Sequence, residues 1–463
     1  MPDEIALWSA VRQAAAIRDG SLTSRGLLER FIERMERINP ELKAIVTFDL
    51  ERARADADRA DAAVAAGEEL GPLHGVPITI KDALCTAGIR STGGAHELME
   101  NIPDYDAPVV AAVKAAGAIV FGKTNVPRWS GDIQTFNEMF GTTVNPWDPE
   151  RVPGGSSGGA AAAVAAGLTS FEIGTDIGGS IRFPSSYCGV YGHKPSFGIV
   201  PSTGYLDHEK GGDTEADINV IGPIARSAED LEPLLELLLR REGPLQAKLR
   251  PPPKDVTKLR VAAWLDDPFC PVDKSVLGVL SAAVDSLEAS GIAVDRAARP
   301  DIDPGAASGL GMIMVGAAGD PAPEEEGAEK SPAQPVLTHK QWQQMHRMRE
   351  AIREKWATFF EAYDAVLMPV GFVPPFEHQP EGDFFSRTLP CNGESRPYSD
   401  IIRWTVLTGM AYLPATVPPV GLTGAGLPIG MQVVGPRGGD YTTIRLAAEL
   451  GRLCGGYRPP PIA

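Results

Sequence analysis

Apolar side chains recur at helical spacing soon after the start of the chain. Positions three and four apart fall on one face of an α-helix, so this spacing predicts an amphipathic helix. Ser24 is its predicted N-cap, and Pro40 lies just beyond its predicted end. Residues 50–68, rich in Ala, Arg, Asp and Glu, predict a second, largely solvated helix. The stripe of the first helix comprises Leu27, Leu28, Phe31, Ile32, Met35 and Ile38.

Short apolar runs then alternate with helical patterns. Residues 73–80 predict a buried strand that ends at Lys81, and 108–116 predict a helix followed by a strand at 118–121. This alternation is typical of α/β proteins. We therefore expect an α/β fold with a large, mixed, twisted β-sheet flanked by helices on both faces. Similar elements are predicted at 227–240 (helix), 258–297 (strand, helix, strand), 339–362 (helix), 366–368 (strand) and 401–463 (apolar strands between Gly/Pro turns).

Two segments interrupt this pattern. Three consecutive prolines at 251–253 mark a boundary between segments. Residues 300–336 contain a run rich in Pro, Ala and Glu without periodicity, which predicts an exposed and mobile loop.

The charge and composition disfavour several classes of function. Lys and Arg number 43 and Asp and Glu 60, so the net charge is −17 and no overall positive field attracts nucleic acid. The most uniformly apolar stretch, 160–168, is far shorter than the roughly 20 residues that cross a bilayer. The N-terminus carries acids where a secretory signal carries positive charge. We expect a cytoplasmic protein with no membrane span and no nucleic-acid partner.

The cysteines and histidines give no sign of a metal site. The chain has five cysteines and no CxxC pair, which predicts reduced thiols and not a disulfide framework or zinc site. No metal-ligand cluster is visible in the sequence. Monomer and homodimer both stay open.

The segment Gly117–Thr124 fits the P-loop pattern GxxxxGK[ST]. A P-loop needs its variable positions in a loop whose N–H groups turn inward around phosphate. Here those positions are Ala, Ile, Val and Phe, a composition typical of strands, whose N–H groups pair within a sheet. We therefore interpret the segment as a strand and not as a nucleotide site.

The segment Gly155–Gly159 fits the GxSxG nucleophile elbow. An elbow joins a strand to a helix, and its serine needs a later acid and histidine. The preceding residues, NPWDPERVPG, are not strand-like, and the seven histidines sit in no recognisable context. A Ser-His-Asp hydrolase is therefore disfavoured.

Two Gly/Ser-rich segments, 154–159 and 174–184, flank one Ala-rich helix. Such segments are often flexible linkers. Here, however, the second segment contains Asp176 and Arg182, which can form an ion pair across a Gly-Gly turn.

The turn itself has the composition of an oxyanion-binding loop. Gly178 and Gly179 allow successive N–H groups to point into one concavity. Ser180 directly follows, where its hydroxyl can attack a carbonyl held by those N–H groups.

Six longer motifs contain these residues: GVPITIKD (75–82), GKTNVP (122–127), NPWDP (145–149), PGGSSGGAAAAVAAG (153–167), GTDIGGSIRFPSSYCGVYGHKPSFG (174–198) and GLPIGMQVVGPRGGD (426–440). In order and spacing they resemble the amidase signature family of Ser–Ser–Lys hydrolases. The resemblance covers 1–245 and 400–463. It implies the amidase signature fold and a hydrolase that cleaves an amide-type C–N bond through a serine acyl-enzyme, without metal or cofactor.

The resemblance also implies an organisation of the chain as one amidase domain, 1–463. Its expected parts are N-terminal helices (1–70), a catalytic core (71–245), a variable substrate-side region with the mobile loop (246–400), and a C-terminal core segment (401–463).

The family's catalytic triad has a match at each position. Lys81 matches the catalytic lysine, and Ser180 matches the nucleophile. Ser156 matches the bridging serine, whose peptide bond to the preceding residue, here Gly155, is cis in the family. The family's oxyanion hole matches the backbone N–H groups of Ile177, Gly178, Gly179 and Ser180. Positions that hold the site in shape match Gly155, Ser157, Asp176 and Arg182.

A lysine base requires a lowered pKa. Lys81 must fall from about 10.4 toward about 7–8 to be neutral near pH 7. Its apolar neighbours Ile78 and Ile80, together with burial at a strand end, favour that shift. Asp82 would oppose it, but successive strand residues alternate in direction, so its carboxylate is expected to face away. Ser156 would relay the proton between Lys81 and Ser180.

The resemblance places residues 129–133 in a loop that faces the substrate in relatives. Trp129, Ser130 and Gly131 are therefore candidate substrate-binding residues. For Trp129, core packing is an equally good interpretation.

The sequence leaves the substrate open. Aromatic residues after the strand at 366–368 fit either a channel for an aryl or acyl group or ordinary loop packing, and residues 316–336 could form a lid. Aryl amides, fatty amides and carbamates (urethanes) all fit the chemistry. The alternative is a non-hydrolytic or partner-dependent amidotransferase-like subunit, although the family's characteristic amidotransferase sequence between GKTN and GGSSGG is not recognisable. The aromatic residues are Phe372, Phe376, Phe384 and Phe385.

Overall fold

The structure is a computed structural model that describes residues 4–208, 212–241, 248–318 and 337–462. Within these residues the α-helices are α1 (Ala10–Arg18), α2 (Ser24–Leu42), α3 (Leu50–Ala66), α4 (Pro108–Ala115), α5 (Gly158–Ala165), α6 (Arg182–Cys188), α7 (Ala228–Leu238), α8 (Lys274–Ala289), α9 (Pro304–Ala318), α10 (His339–Ala362), α11 (Arg403–Gly409) and α12 (Asp440–Cys454). The strands are β1 (Ile45–Phe48), β2 (Pro77–Lys81), β3 (Ile119–Thr124), β4 (Phe136–Asn137), β5 (Gly141–Thr142), β6 (Phe171–Asp176), β7 (Tyr191–Lys194), β8 (Val220–Ala225), β9 (Val261–Ala263), β10 (Val294–Asp295), β11 (Ala365–Pro369), β12 (Thr388–Cys391), β13 (Glu394–Pro397), β14 (Ala415–Val417), β15 (Pro419–Leu422) and β16 (Pro428–Val434).

The first amphipathic helix differs from its prediction at both ends. The side chain of Thr23, not Ser24, caps α2 by accepting a hydrogen bond from the Gly26 amide. Pro40 lies inside the last turn, where a proline removes only one backbone hydrogen bond, and the helix ends as Lys43 turns left-handed with φ 52°. The N-terminal region is also not purely helical, because β1 pairs with β3.

Two sheets organise the chain. The smaller sheet has the order β1-β3-β2, with β2 and β3 parallel and Lys81 paired with Thr124. The larger, nine-stranded sheet has the order β10-β9-β11-β16-β14-β7-β8-β6, with β15 paired to β16. It is mixed, since β9, β10 and β11 are parallel and the other pairs are antiparallel. Strands β2 and β6 lie side by side, so the two sheets meet at the end of β2.

Helices cover the larger sheet and bury its strands. Helices α7, α8 and α12 pack against β7, β8, β14, β15 and β16, and α5 and α6 pack against β6, β7, β14 and β16. The strands β6, β8, β11 and β16 are buried at every residue. The predicted α/β fold with a mixed sheet and two helical layers is confirmed.

The later part of the chain holds more regular structure than its sequence predicts. The expected loop at 300–336 begins with α9, and its remainder, 319–336, lies outside the described residues, as does most of the lid expected at 316–336. The region 246–400 supplies β9, β10 and β11 to the larger sheet. The segment 401–463, expected as strands, also contains α11 and α12. Over the described residues, no helix is both long and apolar enough to cross a membrane.

Candidate active site

Lys81 is the last residue of β2 and is fully buried. Its ammonium Nζ donates to three hydroxyl oxygens: Ser156 Oγ at 2.7 Å, Ser157 Oγ at 3.0 Å and Thr175 Oγ1 at 2.7 Å. The strand end thus places the lysine side chain among hydroxyls, and no carboxylate of the described residues contacts it directly.

Burial sets the charge state of this lysine. Desolvation lowers the pKa of Lys81 to about 7, and the more distant carboxylates of Asp176 and Glu172 oppose part of the shift. Asp82 points elsewhere, as the strand alternation predicts: its carboxylate accepts hydrogen bonds from the amide and hydroxyl of Thr92. A substantial fraction of Lys81 is therefore neutral near pH 7.

The two adjacent serines lie between the lysine and the turn at 176–182. The Gly155–Ser156 peptide is cis, the configuration that the family resemblance implies. A side chain at Gly155 would collide with the backbone of Asp132 and Gln134, so only glycine fits there. The amide of Ser157 donates to the Ser180 carbonyl at 3.2 Å, which joins the serine segment to the turn.

The turn at 176–182 is built around a buried ion pair. Arg182 Nη2 lies 2.7 Å from Asp176 Oδ1 and Arg182 Nε lies 3.0 Å from Asp176 Oδ2, with both side chains fully buried. Arg182 holds the pKa of Asp176 below its ordinary value despite burial. Arg182 Nη1 also donates to Thr405, Thr408 and Gln432, at 2.8 to 3.0 Å. The ion pair predicted from the sequence is confirmed.

The four amides predicted for the oxyanion hole are not equivalent. The Gly179 amide donates to Asp176 Oδ1 at 2.9 Å, whereas the amides of Ile177, Gly178 and Ser180 make no hydrogen bond to the described part of the chain. Gly179 has φ +127°, and a Cβ there would lie 2.6 Å from the Phe183 ring. Three amides at this turn are therefore available to a ligand.

Ser180 is almost fully buried, with 5% of its surface exposed. Its hydroxyl makes no hydrogen bond to the residues that the structure describes, so the Ser156–Ser180 link expected from the sequence is not formed in this state. Lys81 and Ser156 are in direct contact. Ser180 is joined to the serine segment through its carbonyl, which accepts a hydrogen bond from the Ser157 amide.

The sequence model of the amidase family matches residues 26–444 of this chain. The chain belongs to the amidase family. Its fold and its membership identify it as an enzyme that hydrolyses amide C–N bonds.

Relatives of this amidase have more than one activity. An indoleacetamide hydrolase from Bradyrhizobium diazoefficiens is 35% identical, over 97% of this chain and 87% of the relative. A glutamyl-tRNA(Gln) amidotransferase subunit from Synechococcus is 31% identical, over 92% of each chain. The crystal structure of a bacterial aryl acylamidase superposes with a TM-score of 0.82 at 25% identity, covering 96% of both chains.

The candidate substrate loop of the amidase has an unusual backbone. Trp129 and Ser130 both adopt positive φ, 51° and 55°. The Trp129 amide donates to the Gly93 carbonyl at 2.8 Å, and its half-buried ring lies against Gly93. Gly131 is exposed at the end of this turn.

A charged clamp fixes the residue that follows the loop. The carboxylate of Asp132 accepts hydrogen bonds from Arg387 Nη1 at 2.5 Å and from the Tyr398 hydroxyl at 2.6 Å. Both partners are buried and come from the β12–β13 hairpin and its flanks. Since Asp132 also packs on Gly155, this clamp connects the hairpin to the serine segment.

Sequence reasoning missed two polar residues of β6 beside the lysine. Thr175 contacts Lys81 directly, and Glu172 is fully buried, where desolvation raises its pKa to about 7. The sequence signal for Thr175 was its position next to the motif aspartate; that β6 packs beside β2 became evident from the structure.

The segments that fit the P-loop and nucleophile-elbow patterns have the structures that the sequence predicts. Residues 119–124 of the P-loop-like segment form β3, and Lys123 is buried against Leu84, Thr86 and Ser91. The segment before Gly155 contains no strand. His193 is buried between Thr416 and Asp440 in the larger sheet.

The aromatic cluster after β11 is mostly packing. Phe372 and Phe376 are buried, and Phe384 packs on Tyr398. The apolar groups next to the turn come from elsewhere: a Cβ on Gly178 would lie 3.5 Å from Ile402 and 4.0 Å from Val315 of α9.

Proposed function

We propose that this amidase cleaves its substrate through a Lys81–Ser156–Ser180 triad and a serine acyl-enzyme. The observation that carries the proposal is the 2.7 Å contact of a fully buried lysine, whose pKa lies near 7, with Ser156. A serine hydroxyl needs a base to act as a nucleophile, and a neutral lysine supplies one.

The proposed cycle begins with proton transfer. Neutral Lys81 accepts the hydroxyl proton of Ser156, which takes the proton of Ser180 as Ser180 Oγ bonds to the carbonyl carbon. The amides of Ile177, Gly178 and Ser180 stabilise the oxyanion. The relay then protonates the leaving nitrogen as the C–N bond breaks, and water hydrolyses the acyl-enzyme by the same route. Gly179 acts through the turn, because its amide is engaged by Asp176.

The relay requires the Ser180 hydroxyl to turn toward Ser156. Catalytic hydrogen bonds that are open without substrate commonly close in the complex, and we propose that the Ser180 hydroxyl turns about its χ1 bond to do so.

We infer a hydrophobic or aryl amide as the substrate class. Ile402 and Val315 border the turn at Gly178, which favours an apolar group beside the carbonyl. Relatives that act on indoleacetamide and on aryl acylamides support the same class. Carbamates place a carbonyl and leaving group in the same geometry and are a second substrate to assay.

The competing function is that of a partner-dependent amidotransferase subunit, the name carried by one of the relatives. The two functions differ in what the chain does alone. An amidase hydrolyses amides without a partner, whereas an amidotransferase subunit requires one.

The test is hydrolysis of anilides, aryl acetamides, fatty amides and aryl carbamates by the purified chain and by its Ser180→Ala variant. We expect turnover on at least one amide, and a loss of at least about 1,000-fold in kcat/KM in the variant. A fluorophosphonate probe should label Ser180. Label on Ser156 would reverse the assignment of the two serines, and unchanged turnover in Ser180→Ala would refute the triad.

A further inference from the structure

Asn219 is a buried polar residue without a partner. Only 3% of its surface is exposed. Neither Oδ1 nor Nδ2 of its carboxamide makes a hydrogen bond within the described residues. Burying an unpaired carboxamide is unfavourable, so such a residue calls for an explanation.

The sheet register places Asn219 beside the active site. Strand β8 pairs antiparallel with β6, with Asp176 opposite Val220 and Thr175 opposite Ile221. Continuing this register by one residue brings Asn219 opposite Ile177, which carries a free amide of the turn. Asn219 directly precedes β8. Because side chains two residues apart lie on the same face of a strand, we infer that the Asn219 side chain lies on the face of Ile221, the residue opposite Thr175. That is the face from which Thr175 contacts Lys81.

A second buried polar group lies in this neighbourhood. The Ser130 hydroxyl is buried beside the candidate substrate loop. It lies near Tyr205, whose hydroxyl is also close to Thr175. Polar atoms left free on the active-site face are what a substrate with a polar group would pair with.

We propose that Asn219 is a substrate-binding residue whose carboxamide hydrogen-bonds a polar ring group of an aryl amide, outside the scissile bond. This inference rests on the proposed function and narrows its substrate class. A carboxamide offers one acceptor and one pair of donors, so it complements a ring N–H, and best a ring lactam that carries N–H and C=O together. Heteroaromatic amides are then preferred over hydrocarbon amides of the same shape.

Three acetamides of similar size test the proposal. 1-Naphthaleneacetamide has a hydrocarbon ring, indole-3-acetamide adds a ring N–H, and 2-oxindole-3-acetamide carries a ring lactam. We expect wild-type kcat/KM for each polar amide to exceed that for the hydrocarbon by about 10-fold, the size of one net hydrogen bond. Asn219→Leu, which keeps the volume and removes both polar atoms, should bring the ratios near 1. Asn219→Asp, which keeps an acceptor, should retain part of the preference for indole.

Stability separates binding from a structural role. Since the carboxamide has no protein partner within the described residues, Asn219→Leu should leave the melting temperature unchanged or raise it. A lowered melting temperature together with unchanged ratios would mean that Asn219 serves the fold, and would overturn the proposal.

Fluorophosphonate labelling tests the catalytic proposal independently. Absence of label in the wild type refutes the Ser180 mechanism. A second outcome refutes the Asn219 subsite and leaves the triad standing. In that outcome Ser180 is labelled, but the polar amides are hydrolysed no better than the hydrocarbon amide and protect Ser180 from the probe no better than it does.

Discussion

At the scale of single residues, the defining feature is a buried amine surrounded by hydroxyls. Lys81 contacts Ser156, Ser157 and Thr175, and its nearest carboxylates act only at a distance. Hydroxyls hold the amine in place without fixing a proton on it, as a carboxylate partner would. The residue is thereby able to gain and lose a proton near neutral pH.

The pH dependence of activity follows from this environment. Protonated Lys81 cannot accept a proton, so kcat/KM should rise about tenfold per pH unit below pH 7 and level off above it. Thr175→Val removes one hydrogen-bond acceptor of the Lys81 ammonium, so the pKa of Lys81 should fall. The rising limb of the kcat/KM profile should then move to lower pH. We expect the plateau value of kcat/KM at high pH to fall about 10-fold as well, because the Lys81 amine is held in place by one hydroxyl fewer. Steady-state kinetics from pH 5 to 9 measure both effects, with Thr443→Val in α12 as a matched buried control; a limb that does not move contradicts this role of Thr175.

The sequence singled out the charged residues and the serines of the candidate site but not their partners. Lys81, Asp176 and Arg182 lie in motifs whose chemistry is evident from residue type. Thr175 was missed because a strand threonine becomes a lysine partner only when β2 and β6 lie side by side. The family resemblance assigned the Gly179 amide to the oxyanion hole. Its hydrogen bond to Asp176 could not be predicted, because it depends on the course of the turn.

At the scale of elements, a turn and a clamp position the groups of the candidate site. The 176–182 turn is closed by the Asp176–Arg182 pair, and the loop at 129–131 is followed by Asp132, which Arg387 and Tyr398 hold. Loop sequences rarely reveal such contacts, since Arg387 lies about 250 residues from its partner. The positive φ angles of Trp129 and Ser130 were likewise unpredictable, because neither residue favours that conformation.

Two adjacent glycines should respond differently to substitution. Gly179→Ala introduces a Cβ that meets Phe183 at 2.6 Å, at a φ of +127° that L-residues rarely adopt. We expect Ser180 labelling by fluorophosphonate to slow by at least about 100-fold and the melting temperature to fall. Gly178→Ala meets its nearest neighbour at 3.5 Å and should keep the melting temperature of the wild type. Equal melting temperatures for the two variants would contradict the strain assigned to Gly179.

The clamp should affect substrate binding more than chemistry. Arg387→Met removes the hydrogen bond and ion pair between Arg387 and the Asp132 carboxylate, which lies in a buried environment. The loop at 129–131, which precedes Asp132, should then lose its fixed position. We expect KM to rise about 10-fold with a smaller change in kcat, and Arg387→Lys to recover part of the loss. The matched control is Arg396→Met in the same hairpin, whose partners are Cys270, Pro271 and Asp400. A fall in kcat alone, with KM unchanged, would be the opposite of this expectation.

At the scale of the whole molecule, one sheet unites segments that are distant in sequence. Residues 71–245, 246–400 and 401–463 each supply strands to the larger sheet. The alternation of apolar runs and helical patterns was enough to predict this class of fold. Helix α9 was missed because its glycines lower helix propensity, and its stability comes from packing against α11, where Gly311 lies on Val406 and Met410.

The net charge of −17 bears on the competing function. An acidic protein repels a polyanion and has few phosphate contacts to offer, so the chain alone should not bind tRNA at about 150 mM salt. A mobility-shift titration with tRNA, run beside an amide hydrolysis assay on the same preparation, measures both properties. Tight tRNA binding without hydrolysis of any amide would favour the amidotransferase assignment.

The hydrogen bonds of Arg182 have a consequence for synthesis of the enzyme. This arginine shapes the turn at Ser180, yet three of its partners, Thr405, Thr408 and Gln432, are translated more than 220 residues later. A nascent polypeptide that has already emerged with Lys81, Ser156 and Ser180 still lacks the groups that fix the surroundings of Ser180, the proposed nucleophile. Hydrolytic competence should therefore arise late, once this distal stretch has left the ribosome, and a ribosome stalled before residue 405 should display a chain that a serine-directed probe labels poorly.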